Sequence, residues 1–368
     1  MITDIRKGDL FDSDAQTLVN TVNTVGVMGK GVALEFKRRF PQMFADYRRR
    51  CAKRQVQLGK PFLWRNPNGP SVINFPTKGH WRSVSKLADI DRGLAYLAEH
   101  IASWGVASLA VPPLGTGNGR LDWAVVGPTL YRRLDPLPIP VALYAPHEVP
   151  DDQVAIEFLA GQSHPVETGV LAPGAIVIAE IVRRLYQERH AWPVGRIRLQ
   201  KLAYFATAMG VPTGLEFAEG SYGPFTHDLT PLLGQLINHG VLTEARSRRM
   251  LTVGPGPAID DARIRYQDNI KEHEAEIERV ADLLSRLDSQ HSETAATLHF
   301  AADALARSLG RRPTEREVLD KYLHWKRRRQ PDPVDVVLAI RSLAAFGWLD
   351  VTPSPDLPPA EDDLVALA

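Results

Sequence analysis

Residues 18–37, LVNTVNTVGVMGKGVALEFK, constrain this chain more than any other stretch. An apolar strand end, Leu18 and Val19, leads into the amides of Asn20 and Asn23, a turn carrying Gly26, Gly29 and Gly31, and the helix-like run Val32–Lys37. A glycine-rich connection lets the backbone approach a ligand closely, and the unpaired N–H groups of a helix start favour an anion such as phosphate. The stretch matches neither the dinucleotide-binding fingerprint nor the Lys-Ser/Thr ending of a nucleoside-triphosphate loop. Taken alone, it reads equally well as a tight connection.

Three further segments raise its weight. Lys7-Gly8-Asp9-Leu10 follows the first apolar run, Val72–Lys78 (VINFPTK) ends another, and Pro112–Gly119 (PPLGTGNG) is a second glycine-rich loop after a third. Together these motifs resemble the macrodomain, a module that binds ADP-ribose. The finer pattern, with Asn20-Thr21-Val22-Asn23, Gly26–Gly31, Asn74–Lys78, His80-Trp81-Arg82 and Pro112–Trp123, is similar to the DarG family of antitoxins. The resemblance covers nearly all of the first 150 residues and implies removal of ADP-ribose from single-stranded DNA, at thymidine.

Charge supports a nucleic-acid partner for the first half. Residues 1–150 carry 20 Lys/Arg against 12 Asp/Glu, and residues 151–368 carry 24 against 31, although the whole chain has a net charge of only +1. Such asymmetry between halves suggests nucleic acid for one and an acidic role for the other. The basic excess gathers in Lys37, Arg38, Arg39, Arg48, Arg49, Arg50, Lys53 and Arg54, which could equally be a solvated helix face. The single cysteine, Cys51, excludes an internal disulfide and fits a reducing compartment. Its neighbours Arg48–Arg50 could lower its pKa, but an incidental thiol is the simpler reading. No paired histidine or cysteine spacing suggests a metal, and no cofactor is expected. Without an apolar leader or a membrane-length run, the expected location is the cytoplasm.

Short apolar runs near 2–6, 16–22, 72–76, 107–112 and 140–145 alternate with helical patterns near 31–54, 86–103 and 122–133. That alternation predicts an α/β layered domain over residues 1–150, with ligand loops at strand carboxyl ends. The resemblance sharpens the fold class to an α/β macrodomain, a mixed sheet between helices, followed by a mainly α-helical C-terminal domain. Residues 151–173 read as a linker. Apolar spacings of three and four then predict helices at 176–188, 198–209, 229–238, 268–287, 294–308, 313–326 and 333–346, with a hairpin at 242–253, in a helical domain over 174–350. Residues 351–368 are proline-rich and acidic, the composition of a disordered tail.

In the implied ADP-ribose site, Asp9 would accept the adenine amine, with Gly8 and the backbone N–H of Leu10 beside it. Asn20, Thr21, Val22, Gly29, Gly31, Val32, Thr77, Leu114, Gly115, Thr116, Gly117 and Asn118 would hold the rest of the ligand, the pyrophosphate lying between the two glycine-rich loops. Tyr144 and Pro146 could wall the adenine or be ordinary packing. Breaking the C1″–N bond needs help for the leaving base and a nucleophile or positioned water. The resemblance makes Lys78 the catalytic lysine, either a proton donor or, as a neutral amine, the nucleophile. Asn23 would bind a ribose hydroxyl or water. His80, Trp81 and Arg82 could meet the DNA. Related glycohydrolases pair the lysine with an aspartate in the second glycine-rich loop. This chain aligns Gly119 there, and its nearest carboxylate is Asp122.

In the second half, Gln200–Phe205 (QKLAYF) and Glu219–Phe225 (EGSYGPF) resemble the helical Panacea-type antitoxin domain. The family resemblance implies that this half binds the DarT toxin, a DNA-modifying ADP-ribosyltransferase. Its acidity suits a DNA mimic, with Asp261–Glu278 and the tail as candidate contacts. Alternatives are a non-catalytic ADP-ribose reader, an ADP-ribose phosphatase and a DNA-binding autoregulator. The last would build a winged helix from residues 229–238 and a hairpin carrying Arg246, Arg248 and Arg249.

Overall fold

The computed structural model describes residues 1–161, 171–247, 250–327 and 331–357. They form two compact units. The first comprises Met1–Leu171 together with Thr230–Gly240, and the second comprises Ala172–Leu229 and the chain from Val241 on.

In the first unit the order is β1 (Ile2–Arg6), β2 (Thr17–Asn23), α1 (Gly31–Arg39), α2 (Pro41–Ala52), β3 (Phe62–Trp64), β4 (Ser71–Lys78), α3 (Leu87–His100), β5 (Leu109–Val111), α4 (Trp123–Leu134), β6 (Val141–Tyr144) and α5 (Ile156–Gly161). The strands lie in the order β1-β6-β5-β2-β4-β3, all parallel except the antiparallel edge pair β3–β4. Alternation along β2 sends Leu18 and Val22 to one face, where they pack with Phe36, Met43 and Tyr47. Val19 points to the other, among Leu94, Leu97, Val126 and Leu130. Helices therefore cover both faces, and the central strands β2 and β4 are buried almost throughout, as parallel strands generally are.

Three features depart from the sequence reading. The helix expected over 31–54 is broken at Phe40, because Pro41 has no N–H to continue it and instead opens α2 at its first position. The short edge strand β3 has no counterpart among the expected strands; it is defined by pairing Phe62 with Asn74, far along the chain. Part of the expected linker is folded: α5 buries Leu159 in the core, against Gly127 of α4. Residues 162–170 of that segment lie outside the described residues.

Downstream elements are α6 (Pro173–Gln187), α7 (Arg196–Ala208), β7 (Ala218–Gly220), β8 (Gly223–Phe225), α8 (Leu229–Asn238), β9 (Leu242–Ser247), β10 (Met250–Pro255), α9 (Ile259–Arg265), α10 (Gln267–Glu272), α11 (Glu274–Arg286), α12 (Ser289–Leu309), α13 (Glu315–Trp325) and α14 (Pro333–Ala345). The helix expected over 268–287 is interrupted at His273, and α9 precedes it. The helix that the winged-helix reading needs, α8, belongs almost wholly to the first unit, whereas the hairpin β9–β10 belongs to the second. Arg248 and Arg249 of that hairpin lie outside the described residues.

Residues 351–357, grouped by composition with the tail, pack instead. Thr352 bridges to Thr314, Ser354 N donates to Glu315, and Leu357 is buried. Backbone pairing and a single buried leucine outweigh the proline content there. Residues 358–368 lie outside the described residues. Among the described residues no helix is long and apolar enough to cross a membrane.

Candidate active site

The carboxyl ends of β2 and β4 are neighbours, and the ladder sets Asn23 opposite Lys78. A cavity of about 1160 Å³ opens there. It is lined by the turn after β1, the glycine-rich turn leading into α1, the end of β4, the loop after β5 and the segment after β6. Strand ends converge on one edge because the connected strands run parallel, which is where open α/β sheets collect ligand loops.

Lys78 Nζ donates to the main-chain carbonyl of Asn118 at 2.7 Å, tying β4 to the second glycine-rich loop. The two glycine-rich loops also approach each other directly. Gly31, at φ +57°, opens α1 in left-handed backbone, and a Cβ on it would lie 3.3 Å from Asn118 Nδ2. Lys30, which precedes it, makes no side-chain cap, so the first N–H groups of α1 are left for a ligand or water.

Asn23 serves the loop that follows it. Its Nδ2 donates to Val27 O at 2.6 Å, while its Oδ1 accepts from Val25 N at 3.0 Å and Val27 N at 3.3 Å. Tyr47 Oη donates to Asn23 O at 2.8 Å and lies 3.1 Å from its Oδ1. Burial holds the Tyr47 phenol far above its ordinary range, so it remains a donor. The Cys51 thiol beside it is also raised by burial, which opposes the reactive role that the neighbouring arginines suggested.

At Gly119, the position the sequence resemblance set against an aspartate, no side chain fits. A Cβ would fall 2.2 Å from Gly115 O and 2.4 Å from Ser85 Oγ. Asp122 reaches the cavity lining, but its Oδ1 accepts from Ala124 N at 3.0 Å as the N-cap of α4. At the other end of the cavity, Asp9 accepts from Phe11 N at 3.0 Å, and the buried hydroxyl of Tyr144 has no protein partner. A buried, unpartnered hydroxyl lining a cavity marks a place where a ligand or water completes the bonding.

Of the residues singled out from sequence, Gly8, Asp9, Leu10, Thr21, Val22, Asn23, Gly29, Gly31, Val32, Thr77, Lys78, Gly115, Thr116, Gly117, Asn118, Trp81, Tyr144 and Pro146 line the cavity together. Asn20 and Leu114 do not; both are fully buried. Asn20 sits mid-strand, where its Nδ2 donates to Asn74 Oδ1 at 2.9 Å, so its amide joins β2 to β4 within the sheet. His80 and Arg82 flank Trp81 without lining the cavity. The His80 ring stacks at 5.4 Å and the Arg82 guanidinium lies 4.4 Å over the indole.

Sequence reasoning missed Lys30 and Arg120 in the lining. It also missed Gln235 and Asn238, from the Thr230–Gly240 segment of the same unit. Asn238 Oδ1 accepts from Leu87 N at 2.8 Å, across 151 residues, and no local signal announces such a pairing.

Residues 19–130 match the Macro domain family. A DNA ADP-ribosyl glycohydrolase of Mycobacterium tuberculosis is 44% identical over 237 residues, 61% of this chain. The match spans 64% of that relative's length. A DNA ADP-ribosyl glycohydrolase of Thermus aquaticus is 35% identical over 302 residues, 80% of this chain and 81% of the relative. A DNA ADP-ribosyl transferase–DNA ADP-ribosyl glycohydrolase fusion protein of Thermosipho africanus is 39% identical over 173 residues, 42% of this chain and 45% of the fusion.

Proposed function

The chain belongs to the DNA ADP-ribosyl glycohydrolase (DarG) family, and from that premise we propose that its first unit removes ADP-ribose from modified bases in single-stranded DNA, thymidine being the expected base. The observation that carries this reading is the placement of Lys78. It is held at the end of β4 in the cavity lining, beside the meeting point of two glycine-rich loops.

In this reading the adenine lies near Asp9 and Tyr144, and the pyrophosphate lies between the start of α1 and the Gly115–Asn118 loop. The distal ribose then comes to the ends of β2 and β4, with the base toward Trp81. Lys78 acts at C1″, either as the attacking amine or as the donor that receives the departing base. Asn23 acts by holding the 24–27 turn in shape, since its amide is already committed to that turn.

A second reading, binding without turnover, is favoured by one observation: Gly119 admits no side chain, so the second glycine-rich loop offers no carboxylate at that position. Release of free ADP-ribose from a single-stranded oligonucleotide bearing it on thymine separates the two. The first reading requires release by the wild type and none by Lys78→Ala, with the variant still binding ADP-ribose. Absence of release by the wild type would leave the reader.

For the second unit we propose binding and blocking of the DarT toxin. The fusion relative, whose name joins transferase to glycohydrolase in one protein, supports that pairing. This unit carries 27 Asp/Glu against 24 Lys/Arg, so its acidity is slight, and the proposal is that its carboxylates, with Asp261–Glu278 as candidate contacts, stand in for DNA phosphates. Full-length Lys78→Ala should still suppress DNA modification by the toxin at a one-to-one ratio. Loss of that protection together with hydrolysis would remove the sequestration role.

A further inference from the structure

A second concavity, of about 730 Å³, shares Val27 and Gly29 with the first and so begins where that cavity ends. One wall is the loop 24–29. The other is Lys37 of α1 with Phe44, Arg48, Cys51, Ala52 and Arg54 of α2 and its end. Every charged side chain lining this groove is a cation.

Their neighbours explain why these three remain available. Arg38 pairs with Glu35, and Arg49 and Arg50 both pair with Asp46, so the local carboxylates are consumed on other faces of the helices. Among the described residues, no ion pair neutralises Lys37, Arg48 or Arg54. Lys37 Nζ lies 4.7 Å and Arg48 Cζ 5.8 Å from the centre of the Phe44 ring. Arg54, at φ +57°, is the left-handed residue that ends α2, its N–H donating to Cys51 O at 2.9 Å and that of Gln55 to Arg50 O at 3.0 Å. Across the groove Val25 and Val27 remain 37% and 40% exposed, an apolar ledge facing the cations.

Uncompensated cations beside apolar and aromatic surface are the chemistry that holds single-stranded polynucleotide, phosphates on one side and base faces on the other. A small free anion would have no use for the ledge. We infer that this groove is a subsite for the nucleotides next to the ADP-ribosylated base, with their phosphates on Lys37, Arg48 and Arg54. The inference rests on the reading of the first cavity as the ADP-ribose site. It makes Val27 and Gly29 the dividing wall between the ADP-ribose and the strand that carries it.

The test uses the full-length protein and the combined variant Lys37→Ala, Arg48→Ala, Arg54→Ala. Binding of an unmodified, fluorescein-labelled single-stranded oligonucleotide is followed by anisotropy across a salt series. The variant should bind at least about tenfold more weakly at low salt, with the slope of log K against log salt reduced by about 2, at roughly 0.7 for each phosphate no longer neutralised. Release from an ADP-ribosylated oligonucleotide should fall through KM, while release from ADP-ribosylated thymidine nucleoside should not change. Restoring charge with Lys37→Arg, Arg48→Lys, Arg54→Lys should recover oligonucleotide binding, and Lys60→Ala, outside both cavities, should behave as wild type. Unchanged oligonucleotide affinity and slope, or equal losses on nucleoside and oligonucleotide, would overturn the subsite. If the wild type releases nothing from either substrate yet its oligonucleotide binding depends on the three cations, hydrolysis at the first cavity fails, the cavity remains an ADP-ribose reader, and the groove stands.

Discussion

Lys78 at the end of β4 and Asn118 in the second glycine-rich loop are joined by a hydrogen bond of 2.7 Å from ammonium to main-chain carbonyl. One donor of the lysine is therefore spent on holding the loop. The same bond couples the position of the lysine to the loop that would grip the pyrophosphate.

If the neutral amine attacks C1″, the C1″–N bond to the base breaks, and the base leaves with the electron pair and takes the proton shed by the Lys78 nitrogen. The ring C1″–O4″ bond of the resulting glycosylamine then opens, O4″ taking a proton from water, to leave an iminium on Lys78. Added borohydride should then reduce that iminium to a stable amine and leave a mass increment on the peptide containing Lys78. Lys78→Arg keeps the charge but not the nucleophile, and should lose at least about 100-fold in rate. Full activity of the arginine variant without trapping would assign the lysine to leaving-group stabilisation instead.

Asn23→Ala removes its three side-chain bonds to the 24–27 turn and takes an acceptor from Tyr47. It should cost about 1–3 kcal/mol in stability by urea unfolding and weaken ADP-ribose binding in calorimetry. Tyr47→Phe should reproduce part of the stability loss, because the main-chain carbonyl of Asn23 loses its buried donor. A stable Asn23→Ala protein that binds ADP-ribose normally but turns nothing over would return Asn23 to a direct catalytic role.

Placing a carboxylate at position 119 should fail. Gly119→Asp puts a Cβ where Gly115 O and Ser85 Oγ already stand, so a lowered Tm and weaker ADP-ribose binding are expected, with no gain in rate. Asp122→Ala should remove the cap of α4 at a cost of about 1 kcal/mol. A loss of turnover beyond what that destabilisation explains would show Asp122 acting on substrate.

In the second unit Lys201 is 1% exposed and donates to Pro224 O at 2.9 Å. Burial lowers its pKa to about 8 from 10.5, against the attraction of Glu293 and with the repulsion of Lys326. Between those values the unfolded chain binds more protons than the folded one, so stability rises with pH across that window. The gain should reach about 3 kcal/mol, at 1.36 kcal/mol per unit. Urea unfolding at pH 8 and 10.5 should show the rise in wild type relative to Lys201→Met; identical pH dependence in the two would refute the assignment.

Local patterning made the first half's architecture legible. Alternating strand and helix signals predicted strands at five of the six sheet positions, and both glycine-rich loops were expected at strand ends, where they lie. The sixth strand, β3, is three residues long, too short for a period to register, and pairs only across the sheet edge. The helices of the second half were equally readable from spacings of three and four, although the break at His273, like that at Phe40 in the first half, is one that periodicity alone does not mark.

Which residue types sit at which strand ends follows from neighbours a few positions away, and so is written locally in the chain. Depth and partnership arise only when distant segments pack together. Asn20 and Asn23 look alike in Asn-Thr-Val-Asn, yet the first is sealed mid-strand against Asn74 and the second shapes a loop at the cavity, because only folding decides where β2 stops. Gly119 is intolerant of any side chain because of Ser85, and Gln235 and Asn238 reach the lining from a distant segment of the chain. Sterics and hydrogen bonds act through space, so pairings between residues tens or hundreds of positions apart leave no periodic trace in the chain that makes them.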